Sequence, residues 1–196
     1  MLNAAMWNMR GLNKRDHQLA LKDLVAEFNL HFNGLLETRV HITNIHRIQS
    51  FILSQWKWFV DSVIVVNRIW VAWDDDILDV HVIALGDQYI HCRGTVRATH
   101  VNVVITVIYC ANELAECREL LRSLEMLAGQ CVDYPWLVGD DFNVIRDLSE
   151  VCGTSGNIRV VMEEFNACIQ DTGLLPLPMQ GEWLTWHNRS SSSRSL

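Results

Sequence analysis

Between Trp56 and Tyr109 the chain passes through five stretches rich in Val, Ile, Trp and Tyr, at 56–66, 68–73, 78–85, 89–93 and 101–109, with no helical period between them. Asp74-Asp75-Asp76, Gly86-Asp87 and Gly94 break the runs. Strands that follow one another so closely pair antiparallel, because a parallel pair needs a crossover of about a dozen residues or more. The tryptophans here alternate with aliphatic residues, which makes them core positions before they are a base-stacking platform. The Asp74–Asp76 run reads as a solvated turn.

On either side of this centre, strand-like and helical runs alternate, as in an α/β protein. Ala4 to Met9 is a short strand closed by Arg10-Gly11-Leu12-Asn13. Leu19, Leu21, Leu24, Val25 and Phe28 give Lys14 to Phe28 the spacing of an amphipathic helix. A strand from His31 to Leu36 delivers Glu37-Thr38-Arg39. Asn112 is a candidate N-cap for a helix reaching Gly129, with Leu114, Leu120, Leu121, Leu124 and Leu127 as its buried stripe. The run Trp136-Leu137-Val138 is a buried strand that stops in Asp140-Asp141-Phe142-Asn143. Two apart on extended backbone, Asp141 and Asn143 would face the same way and Phe142 the core. Asp-Asp-Phe-Asn also reads as a plain strand exit, since Asp and Asn favour turns. Beyond it come a loop at Cys152–Asn157, a helix from Val160 to Thr172 closed by Gly173, and a strand from Trp183 to Asn188. One domain is expected over residues 1–188, with a Ser-rich tail at 189–196.

Composition narrows the function classes. A formal charge of −7 argues against broad binding to a phosphate backbone, which needs clustered Lys and Arg, while leaving a locally held nucleic acid open. The chain has no 18-residue apolar run and no signal-peptide pattern, so an intracellular protein of the nucleus or cytoplasm without membrane contact is expected. Six cysteines without a C-x-x-C pair predict reduced, buried thiols. The closest histidines, His41 and His46, lack a third ligand, so no zinc site is expected.

Asn8, Glu37, Tyr109, Asp141 and Asn143 all fall at the ends of predicted strands, where α/β folds place their ligand crevices. Glu37 alone reads as the start of a solvated loop, paired with Arg39. Gathered together, the five make an acidic, amide-lined cluster of the kind that metal-assisted phosphoryl chemistry uses. Mg²⁺ prefers oxygen ligands and keeps several waters, so one or two carboxylates and a substrate phosphate hold it. Mn²⁺ would serve as well. A further Asp can orient the attacking water.

The order Trp-Asn-x-Arg-Gly-Leu at 7–12, Glu-Thr-Arg at 37–39, Ile-Tyr at 108–109, Asp-Phe-Asn at 141–143 and Thr-Trp at 185–186 resembles the endonuclease/exonuclease/phosphatase superfamily. Within it the chain looks most like the endonuclease domain of plant LINE-type (non-LTR) retrotransposons, on Arg68-Ile69-Trp70, Tyr89-Ile90-His91-Cys92, Pro135-Trp136 and His187-Asn188. The resemblance covers residues 4–188 and implies a four-layer α/β sandwich, two packed mixed β-sheets flanked by helices, with the active site where both sheets end. It implies Mg²⁺-dependent nicking of DNA and no organic cofactor. By motif, Glu37 would be the metal ligand with Asn8 beside it, Asp141 would position the water, and Asn143 and Tyr109 would contact the scissile phosphate.

Two departures qualify these expectations. Asp140 stands where the family pattern Gly-Gly-Asp-Phe-Asn has its second Gly. None of the eight histidines stands in the superfamily's Ser-Asp-His motif. The expectation is a truncated domain that lacks its last strands and most of its activity, and that self-associates through an uncovered sheet edge. The alternatives are an active phosphodiesterase or phosphatase of the same superfamily, and a non-catalytic module that binds nucleic acid or protein.

Overall fold

The computed structural model describes residues 1–60, 66–150 and 158–178. They belong to two compact units, Met1–Asn143 and the residues from Val144 onward. The expected loop at 152–157, the strand at 183–188 with Thr185-Trp186, and the tail at 189–196 lie outside the described residues.

In the first unit the elements run β1 (Ala4–Asn8), α1 (Arg15–Glu27), β2 (Phe32–His41), α2 (Ile45–Ile52), β3 (Lys57–Val60), β4 (Val66–Trp73), β5 (Leu78–Gly86), β6 (Tyr89–Val96), β7 (Asn102–Tyr109), α3 (Leu114–Ala128) and β8 (Trp136–Asp141). They build two four-stranded sheets, ordered β1-β2-β4-β3 and β5-β6-β7-β8. Both are mixed. The hairpin-linked strands of the middle pair antiparallel, as their short breaks require, whereas β1 pairs parallel with β2 and β7 with β8. Each parallel pair is joined by a helical crossover, α1 in one sheet and α3 in the other.

The sheets face each other across a core of Phe32, Leu36, Ile69, Val71 and Trp73 from one and Leu78, Val80, Ile90, Cys92, Ile105 and Val107 from the other. Gly34 permits the approach. A Cβ there would lie 2.7 Å from Val107 Cγ1, so any larger residue would push the sheets apart. Gly139 is crossed in the same way by Met6, whose Cγ would lie 2.3 Å from an added Cβ. Asp140, the position expected to need glycine, sits inside β8 in register with Ile108.

The outer face of the first sheet carries α1 and α2 over Leu35, Val40 and Trp70, with Trp58 set edge-on to Trp70 at 5.9 Å between ring centroids. Trp58, Trp70 and Trp73 are thus part of the core, as their alternation implied. Three details differ from expectation. Leu19 and Phe28 of the first helical run are exposed, because α1 buries the face of Gln18, Leu21 and Val25, and Gln18 Nε2 donates to Leu12 C=O at 2.9 Å. The helix α2 was not expected, although Ile45, Ile48 and Ile52 recur at helical spacing, and Ile48 and Ile52 supply its buried face. For α3 the cap is Glu113, not Asn112, and no side-chain cap bond forms; Gly129 ends it at φ −61°, a conformation open to any residue.

In the second unit α4 (Ile158–Thr172) is closed by Gly173 at φ +69°, and Arg146 and Asn166 bond twice, Nε to Oδ1 at 3.3 Å and Asn166 Nδ2 to the Arg146 carbonyl at 2.8 Å. All five described cysteines are buried, and none forms a disulfide. Among the described residues no helix is long and apolar enough to cross a membrane.

Candidate active site

The two parallel pairs end side by side, and their last residues carry the site. The strand β1 stops at Asn8, whose Oδ1 accepts the Arg10 N–H at 3.1 Å in a tight turn. That bond aims the other half of the amide inward. Asn8 Nδ2 donates to Glu37 Oε1 at 2.9 Å and to Asp141 Oδ2 at 2.7 Å. One nitrogen therefore joins a carboxylate of the first sheet to a carboxylate of the second, and the two acceptor oxygens lie less than about 6 Å apart, a span that a hydrated divalent cation bridges.

Glu37 reaches this position through an irregularity in β2. The pairing of β2 with β4 shifts between Leu36 and Val40, and both Glu37 (φ +49°) and Arg39 (φ +51°) take left-handed backbone. Such a bulge re-aims side chains, and left-handed backbone at residues other than glycine persists only where neighbours hold it. Here the Arg10–Leu12 loop does so. Gly11 N–H donates to Glu37 C=O and Leu12 N–H to Thr38 C=O, each at 2.8 Å, and Asn13 Nδ2 reaches Arg39 C=O at 2.8 Å. Thr38, between them, is fully buried.

The second carboxylate oxygen of Glu37 is paired with the Arg39 guanidinium, whose side chain is 60% exposed against 15% for Glu37. Glu37 thus carries the expected Arg39 partner, though from within β2 and not from the start of a solvated loop, and it faces Asp141 through Asn8. Arg39 is the site residue that the strand-end argument passed over, although Glu-Thr-Arg places it two residues away.

Asp141 and Asn143 do not share an extended segment. Asp141 ends β8 in register with Tyr109, while Asn143 is left-handed at φ +51° and exposed. Its Nδ2 donates to Cys110 C=O at 2.6 Å, so the amide ties the end of β7 to the segment after β8. Cys110 N–H donates to Asp141 C=O at 2.9 Å from the other side. Phe142 is buried, as expected for the residue between them.

A cleft of about 450 Å³ opens beside these groups, lined by Glu37, Arg39, Tyr109, Ala111, Asn112, Glu113 and Glu116. It brings Glu37 and Tyr109 to one surface; Asn8, Asp141 and Asn143 are not among its walls. Its polarity is mostly negative, with Arg39 the one cation in the lining. The Cys110 thiol under the cleft registers this field: hydrogen bonding with Cys117 first, then burial, then the charges of Asp141 and Glu116 all push its pKa up and keep it protonated.

Among the described residues no group of three or more His, Cys, Asp or Glu is arranged to hold a metal ion. The donors present are two carboxylates held by one amide, which suits a hard cation that keeps most of its waters and does not suit zinc. Glu37 and Asp141 fit Mg²⁺ or Mn²⁺ in that sense. Asn8, with its oxygen committed to Arg10 N–H, stands as the donor that spaces them.

No protein-family model and no curated protein matches the chain. Solved structures do. An AP endonuclease from Leishmania major matches with a TM-score of 0.69 at 10% identity, over 87% of this chain and 66% of that one. The endonuclease domain of TRAS1, a telomere-specific non-LTR retrotransposon, matches at 0.63 and 11%, over 86% and 71%. An endonuclease/exonuclease/phosphatase family protein from Bacteroides thetaiotaomicron matches at 0.56 and 13%, over 73% and 64%. This chain thus spans roughly two thirds of each of these proteins, and at such identity the likeness is one of fold: two packed mixed sheets with flanking helices, shared with proteins of the endonuclease/exonuclease/phosphatase superfamily.

Proposed function

We propose that the Asn8–Glu37–Asp141 cluster and the cleft beside it form a divalent-cation-dependent phosphodiesterase site of the DNA endonuclease type. The observation that carries this is the Asn8 amide nitrogen donating at once to Glu37 and Asp141, acidic groups from the ends of two different sheets. In this reading Glu37 holds Mg²⁺ or Mn²⁺, which when bound polarises the phosphate and neutralises charge on the leaving oxygen. Asn8 keeps Glu37 and Asp141 at a fixed spacing. The Asp141 carboxylate accepts a hydrogen bond from the attacking water and orients it in line. Tyr109, in the cleft wall, contacts the scissile phosphate, and Asn143 supports that contact through its bond to Cys110. The likeness in fold to DNA endonucleases supports DNA as the substrate. The order of motifs from Trp7 to Trp186, together with the TRAS1 likeness, supports a LINE-type retrotransposon origin, of the plant type that Arg68-Ile69-Trp70 and His187-Asn188 indicate.

Turnover is expected to be slow in these 196 residues, because no Ser-Asp-His sequence occurs in them and a positioned acid or base contributes typically 10²- to 10⁴-fold. The test therefore reads binding and cleavage together. Mn²⁺ titration followed by electron paramagnetic resonance should show one site in the wild type that Glu37→Ala abolishes. Supercoiled plasmid with Mg²⁺ should be nicked weakly or not at all. Mn²⁺ binding that survives Glu37→Ala would refute the site. Rapid nicking lost in Glu37→Ala would instead establish the fully active phosphodiesterase, and DNA affinity with neither metal binding nor cleavage would establish the binding module.

A further inference from the structure

We infer that Gln88, in the turn between β5 and β6 and outside the cleft lining, is the positioning residue that sets Tyr109 against Asp141; the inference rests on the phosphodiesterase reading. Three consecutive amides at the end of β7 are shared out between two partners. Tyr109 N–H donates to Gln88 C=O at 2.9 Å, Cys110 N–H to Asp141 C=O at 2.9 Å, and Ala111 N–H to Gln88 Oε1 at 2.7 Å. The segment thus runs between Gln88 on one side and Asp141 on the other. The remaining end of the Gln88 amide, Nε2, donates to Glu116 C=O at 2.8 Å in the first turn of α3.

These bonds matter because of what they hold. Tyr109, Ala111 and Glu116 are all walls of the cleft, and they come from a strand end, a linker and a helix. Ala111 lies past the end of β7, so its N–H has no strand partner, and a half-buried amide left without one costs as much as a lost hydrogen bond. A single side chain with an acceptor at one atom and a donor at the next satisfies the linker and the helix together. Only an amide of this length does both: a shorter Asn loses reach, and Glu keeps the acceptor for Ala111 while setting a carboxylate against the Glu116 carbonyl.

Glu37 and Asn8 take no part in these bonds, and Asp141 enters them only through its main-chain carbonyl, so its carboxylate stays with Asn8 and the role of Gln88 separates from cation binding. The experiment compares wild type, Gln88→Met and Gln88→Glu on three readouts. These are Mn²⁺ affinity, affinity for a phosphorothioate-linked thymidine dinucleotide at saturating Mn²⁺, and NMR hydrogen exchange of the Ala111 amide. Gln88→Met should weaken the dinucleotide about 10-fold and speed Ala111 exchange at least as much, with Mn²⁺ affinity unchanged within about 2-fold. Gln88→Glu should fall between, through its retained acceptor. Faster exchange with unchanged dinucleotide affinity would reduce Gln88 to a structural residue and overturn the inference. Mn²⁺ affinity falling in step with the dinucleotide would overturn it too, by showing general damage. A wild type that binds Mn²⁺ but no dinucleotide would sink the positioning role alone, and one that binds neither would sink the functional reading with it.

Discussion

Replacing Asn8 by Asp tests the centre of the site with a change of one atom. The Oδ1 acceptor that holds Arg10 N–H is kept, and only the nitrogen that bonds Glu37 and Asp141 becomes an oxygen. Two hydrogen bonds to charged groups are lost, each worth about 1.5–3 kcal/mol; because Asn8 is partly exposed, the low end applies and the pair accounts for about 3 kcal/mol. A third carboxylate within reach of two others adds repulsion of about 1–4 kcal/mol, the range from water to a half-screened site. The two together come to about 4–7 kcal/mol, and at about 2–4 °C per kcal/mol for a chain of this size the melting temperature should fall by roughly 10–25 °C at pH 7 in EDTA. Acid should relieve the loss. Neutralising the added carboxylate removes the repulsion it brings to its neighbours. Saturating Mg²⁺ should restore several degrees, and more than in the wild type, since the variant offers a further oxygen ligand. Melting curves by circular dichroism at pH 4 to 8, with and without Mg²⁺, give the readout. A variant as stable as the wild type in EDTA at pH 7 would show that the amide does not lie between the two carboxylates, and the site as described would fall.

Arg39→Gln frees the outward oxygen of Glu37; because the Arg39 side chain is 60% exposed the ion pair is worth at most about 1 kcal/mol, so Mn²⁺ affinity should rise by up to about 5-fold in an electron paramagnetic resonance titration. His91 is fully buried in β6, bonded through Nδ1 to Thr106 Oγ1 at 2.7 Å, and its Nε2 has no partner. Burial holds its pKa below the usual 6.5, so the folded protein resists the proton that the unfolded chain accepts. Its contribution is complete above pH 6.5 and is lost as pH falls below it, and His91→Leu should flatten urea-unfolding stability between pH 6.5 and 5.

The parts of this molecule that follow from periodicity were legible in its sequence. The antiparallel centre, the helices α1, α3 and α4 and the buried tryptophans all come from spacing and turn residues, which local physics fixes. What escaped was decided by single contacts. The helix α2 is two turns long, too short to stand without its partners, and is secured by burying Ile48 and Ile52. Asn112 had the chemistry of a cap, but the chain enters α3 one residue later, at Glu113.

The site shows the same division. Polar residues at strand ends pointed to Asn8, Tyr109 and Asp141, which do end β1, β7 and β8, whereas Glu37 lies inside β2, at the bulge just past its parallel pairing with β1. Inferring direction from backbone spacing failed for Asn143. The rule that residues two apart face one way holds only on extended chain, and the left-handed turn at φ +51° sends its amide to the Cys110 carbonyl. Gln88 was invisible for a related reason. Its work is done on main-chain atoms of residues more than twenty positions away, and unlike a helix cap a side chain bonded to so distant a backbone leaves no local spacing to read. The carboxylates of such a site are therefore readable from where apolar runs stop, whereas the amides that hold them in place become readable only once the two sheets are brought together, with Asn8 Nδ2 as the atom that both must share.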